Sequence, residues 1–253
     1  MMNSVVVIGT GNVSHHLCKG ILENKNLKLL KVYGRNYKNL GLKLSNELFS
    51  KNFDDIIKAD FYFIIVSDDS ILEISNKIMP DQGSVVVHFS GSTDMNILSK
   101  HINYGVIYPL QTFSKKRVID LNDVPLLIEG SSKTALKKIK KISLLLSKNV
   151  SICNTKKRSI VHLSAVFCNN FSNYMNLIAE ELLKREKIDP KILVPLISET
   201  SKKLKHLTAI NAQTGPALRG DHITIKKHLD LLKNSKYFDI YKNISQMIQK
   251  SNK

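Results

Sequence analysis

The sequence predicts an α/β protein in which a doubly wound, mostly parallel sheet is followed by a smaller all-α domain. Apolar, strand-like runs alternate with helical patterns up to about residue 154, and beyond that point the strand signals stop. This alternation is typical of parallel strands that are joined by right-handed helical crossovers. We therefore expect an α/β domain over residues 1–154 and an all-helical domain over residues 155–253.

The strand-like runs of the first domain are uniformly apolar. Runs such as Val-Val-Val-Ile, Tyr-Phe-Ile-Ile-Val and Val-Val-Val-His-Phe lack the alternation of a strand that has one face in water. This pattern indicates strands that helices cover on both faces. The predicted strands span residues 5–9, 29–33, 61–67, 85–90, 105–108, 126–129 and 150–153.

Helices are predicted between these strands from capping signals and periodicity. The first helix covers about residues 12–23 and follows the first strand directly. Ser70 and Glu73 have the spacing of a capping box at the start of another helix. Residues 133–147 are amphipathic, with apolar side chains recurring on one side.

The second domain contains only helical signals. Residues 158–185 hold neither Gly nor Pro, so we expect one long helix there. Asp189 is expected to cap the next helix, because Pro190 follows it at the first helical position. Asp221 is expected to cap a later helix, and residues 237–248 add a last one.

The first strand runs directly into a glycine-rich loop that opens the first helix. Its residues, Gly9, Thr10, Gly11, Asn12 and Val13, are predicted to bind a cofactor, and Ser14 follows them. The first glycine permits a tight turn, and the second lets the backbone approach a pyrophosphate at the helix N-terminus. Ser14 stands where a third glycine is usual, and a small residue keeps the helix close to the strand. Because the strand–turn–helix context is correct, we predict the dinucleotide-binding loop of a Rossmann domain.

The end of the second strand indicates which dinucleotide is bound. NAD-binding domains usually place a carboxylate there for the ribose 2′-hydroxyl, but this chain reads Tyr33-Gly34-Arg35-Asn36. The planar guanidinium of Arg35 is suited to pair with a 2′-phosphate. The alternative is that Arg35 is simply a surface residue. We predict NADP rather than NAD.

Polar residues also end the third and fourth strands. Ser67 and Asp68 stand where such folds pass the ribose and ring of the cofactor, and we expect both to bind it. Alternatively, Asp68 only precedes the next helix. Ser90 and Gly91 end the fourth strand, at the sheet edge where ligands bind. Ser90 is predicted to take part in the chemistry and Gly91 to line the substrate site.

The composition argues against several other classes of protein. The formal net charge is +17 at pH 7, but the basic residues are mostly lysines spread over the whole chain, so we expect no specific nucleic-acid binding. No apolar run approaches the roughly 20 residues that cross a bilayer, and no signal peptide is recognised. A cytoplasmic protein without a membrane segment is expected. Cys18, Cys153 and Cys168 are widely spaced, which predicts buried free thiols and no metal site.

Five segments of the chain together resemble one family. They are Gly9-Thr10-Gly11-Asn12-Val13, His88-Phe89-Ser90-Gly91-Ser92, Tyr108-Pro109-Leu110-Gln111-Thr112-Phe113, His162-Leu163-Ser164-Ala165-Val166-Phe167-Cys168-Asn169-Asn170-Phe171 and Thr214-Gly215-Pro216-Ala217-Leu218-Arg219-Gly220-Asp221. The chain resembles bacterial oxidoreductases that join a Rossmann-like domain to a helical domain of unknown function. These belong to the 6-phosphogluconate dehydrogenase-like superfamily, with pyrroline-5-carboxylate reductase, ketopantoate reductase, β-hydroxyacid dehydrogenases and deazaflavin-dependent NADP reductases. The resemblance implies an NADP-dependent reductase, and the homodimer that we expect rests on it alone.

Reduction of a carbonyl or imine needs an acid beside the substrate as well as a hydride. In the β-hydroxyacid dehydrogenases, a Lys and an Asn one turn apart on the first interdomain helix serve the substrate. The resemblance puts Asn169 at the Asn position and Ala165 at the Lys position, so the usual Lys is missing. His162 is a candidate replacement, and its alternative is a hydrogen-bonded structural role. Tyr108, which stands where the family usually carries a His, is the other candidate proton donor.

The long predicted helix places polar side chains on one face. His162, Asn169, Asn173 and Asn176 are spaced by 7, 4 and 3 residues. Such a stripe suits a substrate cleft, and we predict His162 and Asn169 as catalytic and Asn173 as substrate-binding. Arg219 is suited to hold a substrate carboxylate. Arg219 is a second-rank candidate, together with Glu199, Thr200 and Asp221.

These features predict an NADPH-dependent reductase of a small keto acid, imino acid or similar carbonyl compound. The alternative is a protein that binds the dinucleotide for regulation or sensing and catalyses nothing. The loss of the family's Lys and the presence of Tyr108 leave that alternative open.

Overall fold

A computed structural model of the chain describes residues 2–251, in two compact units. The first unit is Met1–Asn170 and the second is Phe171–Lys253. The boundary expected at residues 154 and 155 stays a prediction. The helix that follows it contacts the sheet through the ion pair of Arg158 with Glu129.

The first unit is built on one eight-stranded sheet with the order β3-β2-β1-β4-β5-β6-β7-β8. All neighbouring strands pair in parallel except β6 and β7, which are antiparallel. The predicted doubly wound, mostly parallel α/β fold is therefore confirmed. The strands are β1 (Asn3–Ile8), β2 (Leu27–Tyr33), β3 (Phe49–Ser50), β4 (Phe61–Ile64), β5 (Val85–His88), β6 (Tyr104–Pro109), β7 (Leu126–Gly130) and β8 (Val150–Ile152).

The central strands are buried on both faces, as their uniform hydrophobicity predicts. In β1, Val5 and Val7 pack into one hydrophobic cluster, and Val6 and Ile8 pack into another on the opposite face. All four side chains are fully buried. The strand β3 was not predicted, because two residues are too short a run to carry a periodic signal.

Four helices flank this sheet within the first unit. They are α1 (Asn12–Glu23), α2 (Ile71–Lys77), α3 (Lys133–Leu146) and α4 (Thr155–Ala165). The predicted capping box at the start of α2 is wrong in its contacts. Ser70 has helical dihedrals and makes no side-chain cap bond, and its hydroxyl lies 3.0 Å from that of Ser67 instead.

The predicted long helix over residues 158–185 is interrupted. A π-helical segment, Val166–Phe171, follows α4 and precedes α5. The prediction of a single polar face through Asn169 and Asn173 assumed α-helical spacing throughout. A π turn adds a residue to the local repeat, so that assumption does not hold.

The second unit is helical, as predicted. Its helices are α5 (Ser172–Arg185), α6 (Val194–Lys203), α7 (Ala209–Ala212), α8 (Pro216–Arg219), α9 (His222–Leu231) and α10 (Phe238–Ser251). Asp189 starts a 3₁₀ turn before α6 and accepts a hydrogen bond from the backbone N–H of Lys191 at 3.0 Å. Asp221 caps α9 through the N–H of Thr224, also at 3.0 Å. Within residues 2–251, no helix has the length and apolarity needed to cross a bilayer.

Candidate functional site

The glycine-rich loop after β1 has the shape that an approaching phosphate requires. Gly9 has φ of +128°, and a Cβ there would collide with the backbone carbonyl of Ile65. Gly11, in contrast, has open space where its Cβ would stand. The N-terminus of α1 has no side-chain cap and no acidic residue in its first turn, so its first amides are free to bind an anion.

The other loop residues are fixed by contacts inside the first unit. Asn12 donates from Nδ2 to the carbonyl of Phe113 at 3.0 Å, which leaves its backbone N–H for a ligand. Ser14 is fully buried, and its Oγ would lie 3.2 Å from a Cβ on Gly9. Such close packing requires a small residue at this position. Thr10 abuts Gly34, where a Cβ would collide with its methyl group.

A cleft of about 900 Å³ opens beside this loop, a size typical of cofactor sites. Every predicted cofactor-binding residue except Asp68 lines it. Its lining is Gly9, Thr10, Gly11, Asn12, Val13, Gly34, Arg35, Asn39, Lys51, Phe53, Ile65, Val66, Ser67, Ser70, Glu73, Ile74, Lys77 and Lys115. Four of these side chains are cations and one is a carboxylate, so the cleft is suited to a polyanionic ligand.

Among these cations, Arg35 was predicted from the end of β2, but the three lysines were not. Lys77 is partly neutralised, because its Nζ lies 3.6 Å from a carboxylate oxygen of Asp54 and 3.9 Å from one of Glu73. Lys51 and Lys115 come from other segments of the chain. Because lysines occur along the whole chain, no local signal distinguishes these two from lysines on the surface.

Asp68 does not line the cleft, and its role as a cofactor-binding residue stays a prediction. Its Oδ2 accepts hydrogen bonds from Ser90 Oγ at 2.9 Å and from Ser92 Oγ at 2.7 Å. Burial alone would raise the pKa of Asp68, but the hydrogen bonds from Ser92, Ser90 and Thr93 outweigh it and hold the pKa below its usual value. Asp68 therefore joins the end of β4 to the turn after β5.

The same bonds change the interpretation of Ser90. Its hydroxyl donates to Asp68, and its oxygen accepts from the backbone N–H groups of Ser92 at 3.2 Å and Thr93 at 3.0 Å. A hydroxyl engaged in this way has no proton left for a substrate. This bonding suits a positioning role for Ser90, and its catalytic role stays a prediction.

Tyr108 and His162 meet at the carboxyl edge of the sheet. The hydroxyl of Tyr108 and Nδ1 of His162 are 2.9 Å apart, and the two rings meet edge to face with centroids 5.7 Å apart. Both side chains are half-buried, and burial raises the pKa of Tyr108. The two candidate proton donors are therefore one hydrogen-bonded pair.

Gly91 lies directly against the rings of Tyr108 and His162. A Cβ on Gly91 would stand 2.7 Å from Nδ1 of His162 and 2.9 Å from Cζ of Tyr108, closer than real Cβ contacts come. Only glycine fits there without displacing one ring. Gly91 is buried, and the predicted substrate-lining position thus also shapes the Tyr108–His162 pair.

A buried ion pair anchors α4, which carries His162, on the sheet. Arg158 of α4 has no exposed surface, and its Nη1 lies 2.5 Å from Oε2 of Glu129 on β7. Its Nη2 donates to the carbonyl of Thr93 at 2.7 Å. Oε2 of Glu129 also accepts from the hydroxyl of Thr155 at 2.8 Å. Neither charge was predicted to be buried, because nothing in either segment of the sequence marks the two as partners.

His88 lies beneath the Ser90 turn and is neutral at pH 7. Its Nδ1 accepts from the backbone N–H of Ser90 at 3.2 Å. Burial, reinforced by the nearby charge of Arg158, lowers the pKa of His88 to about 4. The side chain is fully buried, so its charged form is strongly disfavoured in the folded state.

We expect the free energy of unfolding to fall between pH 7 and pH 5. An unfolded histidine has a pKa of 6.5. Between pH 6.5 and about pH 4, His88 is therefore protonated in the unfolded chain but neutral in the folded chain. The loss from His88 alone should be on the order of 2 kcal/mol, measured by urea unfolding at both pH values. His101, whose pKa is also lowered to about 4, adds to it. A His88→Asn variant keeps an acceptor for the N–H of Ser90 and should show a weaker pH dependence, and an unchanged dependence would contradict this assignment.

Three further predicted site residues differ in their exposure to solvent. Asn169 is half-buried in the π-helical segment, while Asn173 and Arg219 are exposed in the second unit.

Cys18 and Cys153 are buried free thiols as predicted, but Cys168 is exposed, which corrects that prediction. Within residues 2–251, no three His, Cys, Asp or Glu side chains are grouped so that they could hold a metal ion.

Comparison with known proteins gives matches over most of the chain. A family model described as a domain of unknown function, DUF2520, matches residues 124–248. A solved structure from Bacteroides fragilis, provisionally described as an NADP oxidoreductase, is 32% identical, covers 98% of each chain and has a TM-score of 0.91. None of the curated proteins compared with the chain matches it.

More distant solved structures share the fold. A protein from Thermotoga maritima is 20% identical, with 98% of each chain covered and a TM-score of 0.72. The pyrroline carboxylate reductase of Plasmodium falciparum, crystallised with NADP bound, is 11% identical, with 100% of this chain and 98% of that chain covered and a TM-score of 0.61.

Proposed function

Because the chain belongs to the family of Rossmann-like oxidoreductases that carry a DUF2520 domain, we propose that it is an NADPH-dependent reductase of a small keto acid, imino acid or similar carbonyl compound. The cofactor is NADP. The observation that carries this proposal is the Tyr108–His162 pair, a proton source at the same sheet edge as the cation-lined cleft.

The cleft residues bind and orient the cofactor. The free amides at the N-terminus of α1 hold the pyrophosphate, and Gly11 leaves room for it to approach. Arg35 pairs with the 2′-phosphate, since a guanidinium matches phosphate oxygens in a bidentate way. Ser67 lines the cleft at the end of β4, on the side that leads towards β5 and β6.

The Tyr108–His162 pair supplies the proton. NADPH, when bound, provides the hydride. Tyr108 lies on β6, which is two strands from β4, or roughly 10 Å at the usual strand spacing. Because burial keeps Tyr108 protonated, its hydroxyl delivers the proton to the substrate oxygen or nitrogen. His162 is half-buried. It donates its Nδ1 proton to the resulting phenolate through the 2.9 Å hydrogen bond and takes up a replacement proton from solvent at Nε2.

The substrate lies between Gly91 and α4. Asn169 is proposed to contact it with its amide. Asn173 and Arg219 remain proposed substrate-binding residues on the chemistry of their side chains alone.

Oxidation of NADPH in the presence of a panel of 2-keto acids and cyclic imines tests this function. We expect at least one class to be reduced, with loss of absorbance at the nicotinamide band and with NADPH preferred over NADH. Tight binding of NADPH with no turnover across a broad panel would instead favour a dinucleotide-sensing protein.

We also propose that the chain acts as a homodimer through its helical unit. Large apolar side chains of that unit are exposed, which is typical of an interface that a second copy covers. They include Ile192, Val194, Leu196, Ile210 and Leu231. Light scattering is expected to give the mass of two chains.

Free thiols at Cys18, Cys153 and Cys168 suit a reducing cytoplasm, where we propose that the protein acts.

A further inference from the structure

The segment that follows β6 crosses back over the phosphate loop. The carbonyl of Phe113 accepts from Nδ2 of Asn12 at 3.0 Å, and the carbonyl of Ser114 lies 3.1 Å from Nε2 of His16. The rings of Phe113 and His16 have centroids 5.1 Å apart. Two residues of α1 therefore hold this segment, and the next residue along it, Lys115, faces the cleft.

The ammonium group of Lys115 joins the two loops that border the cofactor cleft. Its Nζ donates to the carbonyl of Asn39, in the loop after β2, and lies 3.4 Å from the carbonyl of Thr10 in the phosphate loop. An ammonium has three donors, so one remains for a ligand. None of the ion pairs found among residues 2–251 involves Lys115, so no carboxylate neutralises its charge.

The aliphatic stem of Lys115 runs close to Gly41 in the loop after β2. Gly41 has φ of +70°, and a Cβ there would lie 3.2 Å from Cδ of Lys115. The carbonyl of Leu40, next in the same loop, lies 2.9 Å from Nδ1 of His15. The loop after β2 is thus shaped by α1, and it leaves a space that the aliphatic stem of Lys115 fills.

We propose that Lys115 is a second cation for the 2′-phosphate of NADP and acts opposite Arg35. The proposal rests on the function proposed above. The pyrophosphate is held by the helix amides, whereas the residues after β2 meet the ribose 2′ position. Lys115 reaches the backbone of that second region, and Arg35 lines the same cleft. A phosphate dianion between a guanidinium and an ammonium would be bound more tightly than by either alone.

Calorimetric titration of the full chain with NADP⁺, NAD⁺, 2′,5′-ADP and 5′-ADP tests this inference. The Lys115→Met variant keeps an unbranched stem and removes the charge. We expect it to weaken NADP⁺ and 2′,5′-ADP by about tenfold or more and to change NAD⁺ and 5′-ADP less than about twofold.

Lys116→Met is the matched control, because Lys116 is exposed on the same segment and carries the same charge. It should change all four affinities by less than about twofold, since it only lowers the general positive field. Lys115→Arg keeps a positive charge and should keep the preference for the 2′-phosphate ligands. It therefore distinguishes loss of the charge from a disturbance of folding by the substitution.

Three results would overturn the inference. Equal weakening of NADP⁺ and NAD⁺ by Lys115→Met would assign Lys115 to the pyrophosphate or to loop structure. Equal effects of Lys115→Met and Lys116→Met would remove any specific role, while leaving the proposed reductase intact. A wild-type chain that binds NAD⁺ as tightly as NADP⁺ would overturn the NADP preference together with the role of Lys115.

Discussion

Replacing Glu129 by alanine is expected to lower the free energy of unfolding by about 3–5 kcal/mol. The change would leave the guanidinium of Arg158 charged in a place where it has no exposed surface. The 2.5 Å contact with Glu129 is its only ion pair among those of residues 2–251, and the carbonyl of Thr93 cannot neutralise it. Urea unfolding followed by circular dichroism measures the loss.

Asp81→Ala is the matched control for burial. Its partner, Lys58, also lies 2.5 Å from the carboxylate, but the two side chains are 73% and 57% exposed. Water already solvates both charges there, so we expect almost no change in stability. Glu129→Gln should fall between the two, since it keeps an acceptor for Arg158 and removes the charge. If Glu129→Ala proved as mild as Asp81→Ala, the anchoring of α4 by this ion pair would be refuted.

Tyr108→Phe is expected to lower kcat by about 10²–10⁴-fold with a substrate that the wild type reduces. The variant keeps the ring against Gly91 and removes only the hydroxyl that hydrogen-bonds to His162. Because neither residue lines the cofactor cleft, the affinity for NADPH should be unchanged. Steady-state kinetics with a separate binding titration distinguishes the two effects.

His162→Ala separates the two members of the pair. If Tyr108 donates the proton and His162 restores it, the His162 variant should lose less activity than Tyr108→Phe and should recover part of it with added imidazole. Leu163→Ala, at an exposed neighbouring position of α4, serves as the control and should leave kcat unchanged. Full turnover in both Tyr108→Phe and His162→Ala, with NADPH still bound, would eliminate the pair as the proton source.

Local patterns predicted most of the residues that meet at the cleft beside the glycine-rich loop. The predicted helix over residues 12–23 matches α1 at both ends. A glycine turn followed by apolar residues at helical spacing is compatible with few structures other than a helix. The loop residues from Gly9 to Val13, together with Arg35, line one cleft because all of them end or follow neighbouring parallel strands. The end of each strand can be recognised from a few adjacent residues. In a parallel sheet the carboxyl ends of the strands lie at one edge, so the fold class predicts that these residues meet.

Where the structure differs from the predicted contacts, the difference depends on neighbours that no local pattern reveals. Ser70 had the correct spacing for a capping box, but the hydroxyl of Ser67 lies within 3.0 Å of its own. Asp68 occupied a cofactor position in the sequence, but two serines after the next strand bind its carboxylate. The single face predicted for His162 and Asn173 assumed regular α-helical spacing, and the π-helical segment Val166–Phe171 removes it.

The sequence by itself determined the fold class and the glycine-rich loop, and it supplied Arg35 as the reason to expect a 2′-phosphate, because these rest on periodicity and on residue types at adjacent positions. The tertiary structure decided which distant side chains meet. Tyr108 and His162 are 54 residues apart, and Lys115 reaches Thr10 across 105 residues. Those contacts depend on strand order and on the paths of the connecting segments, which arise only when the whole sheet assembles and buries both of its faces.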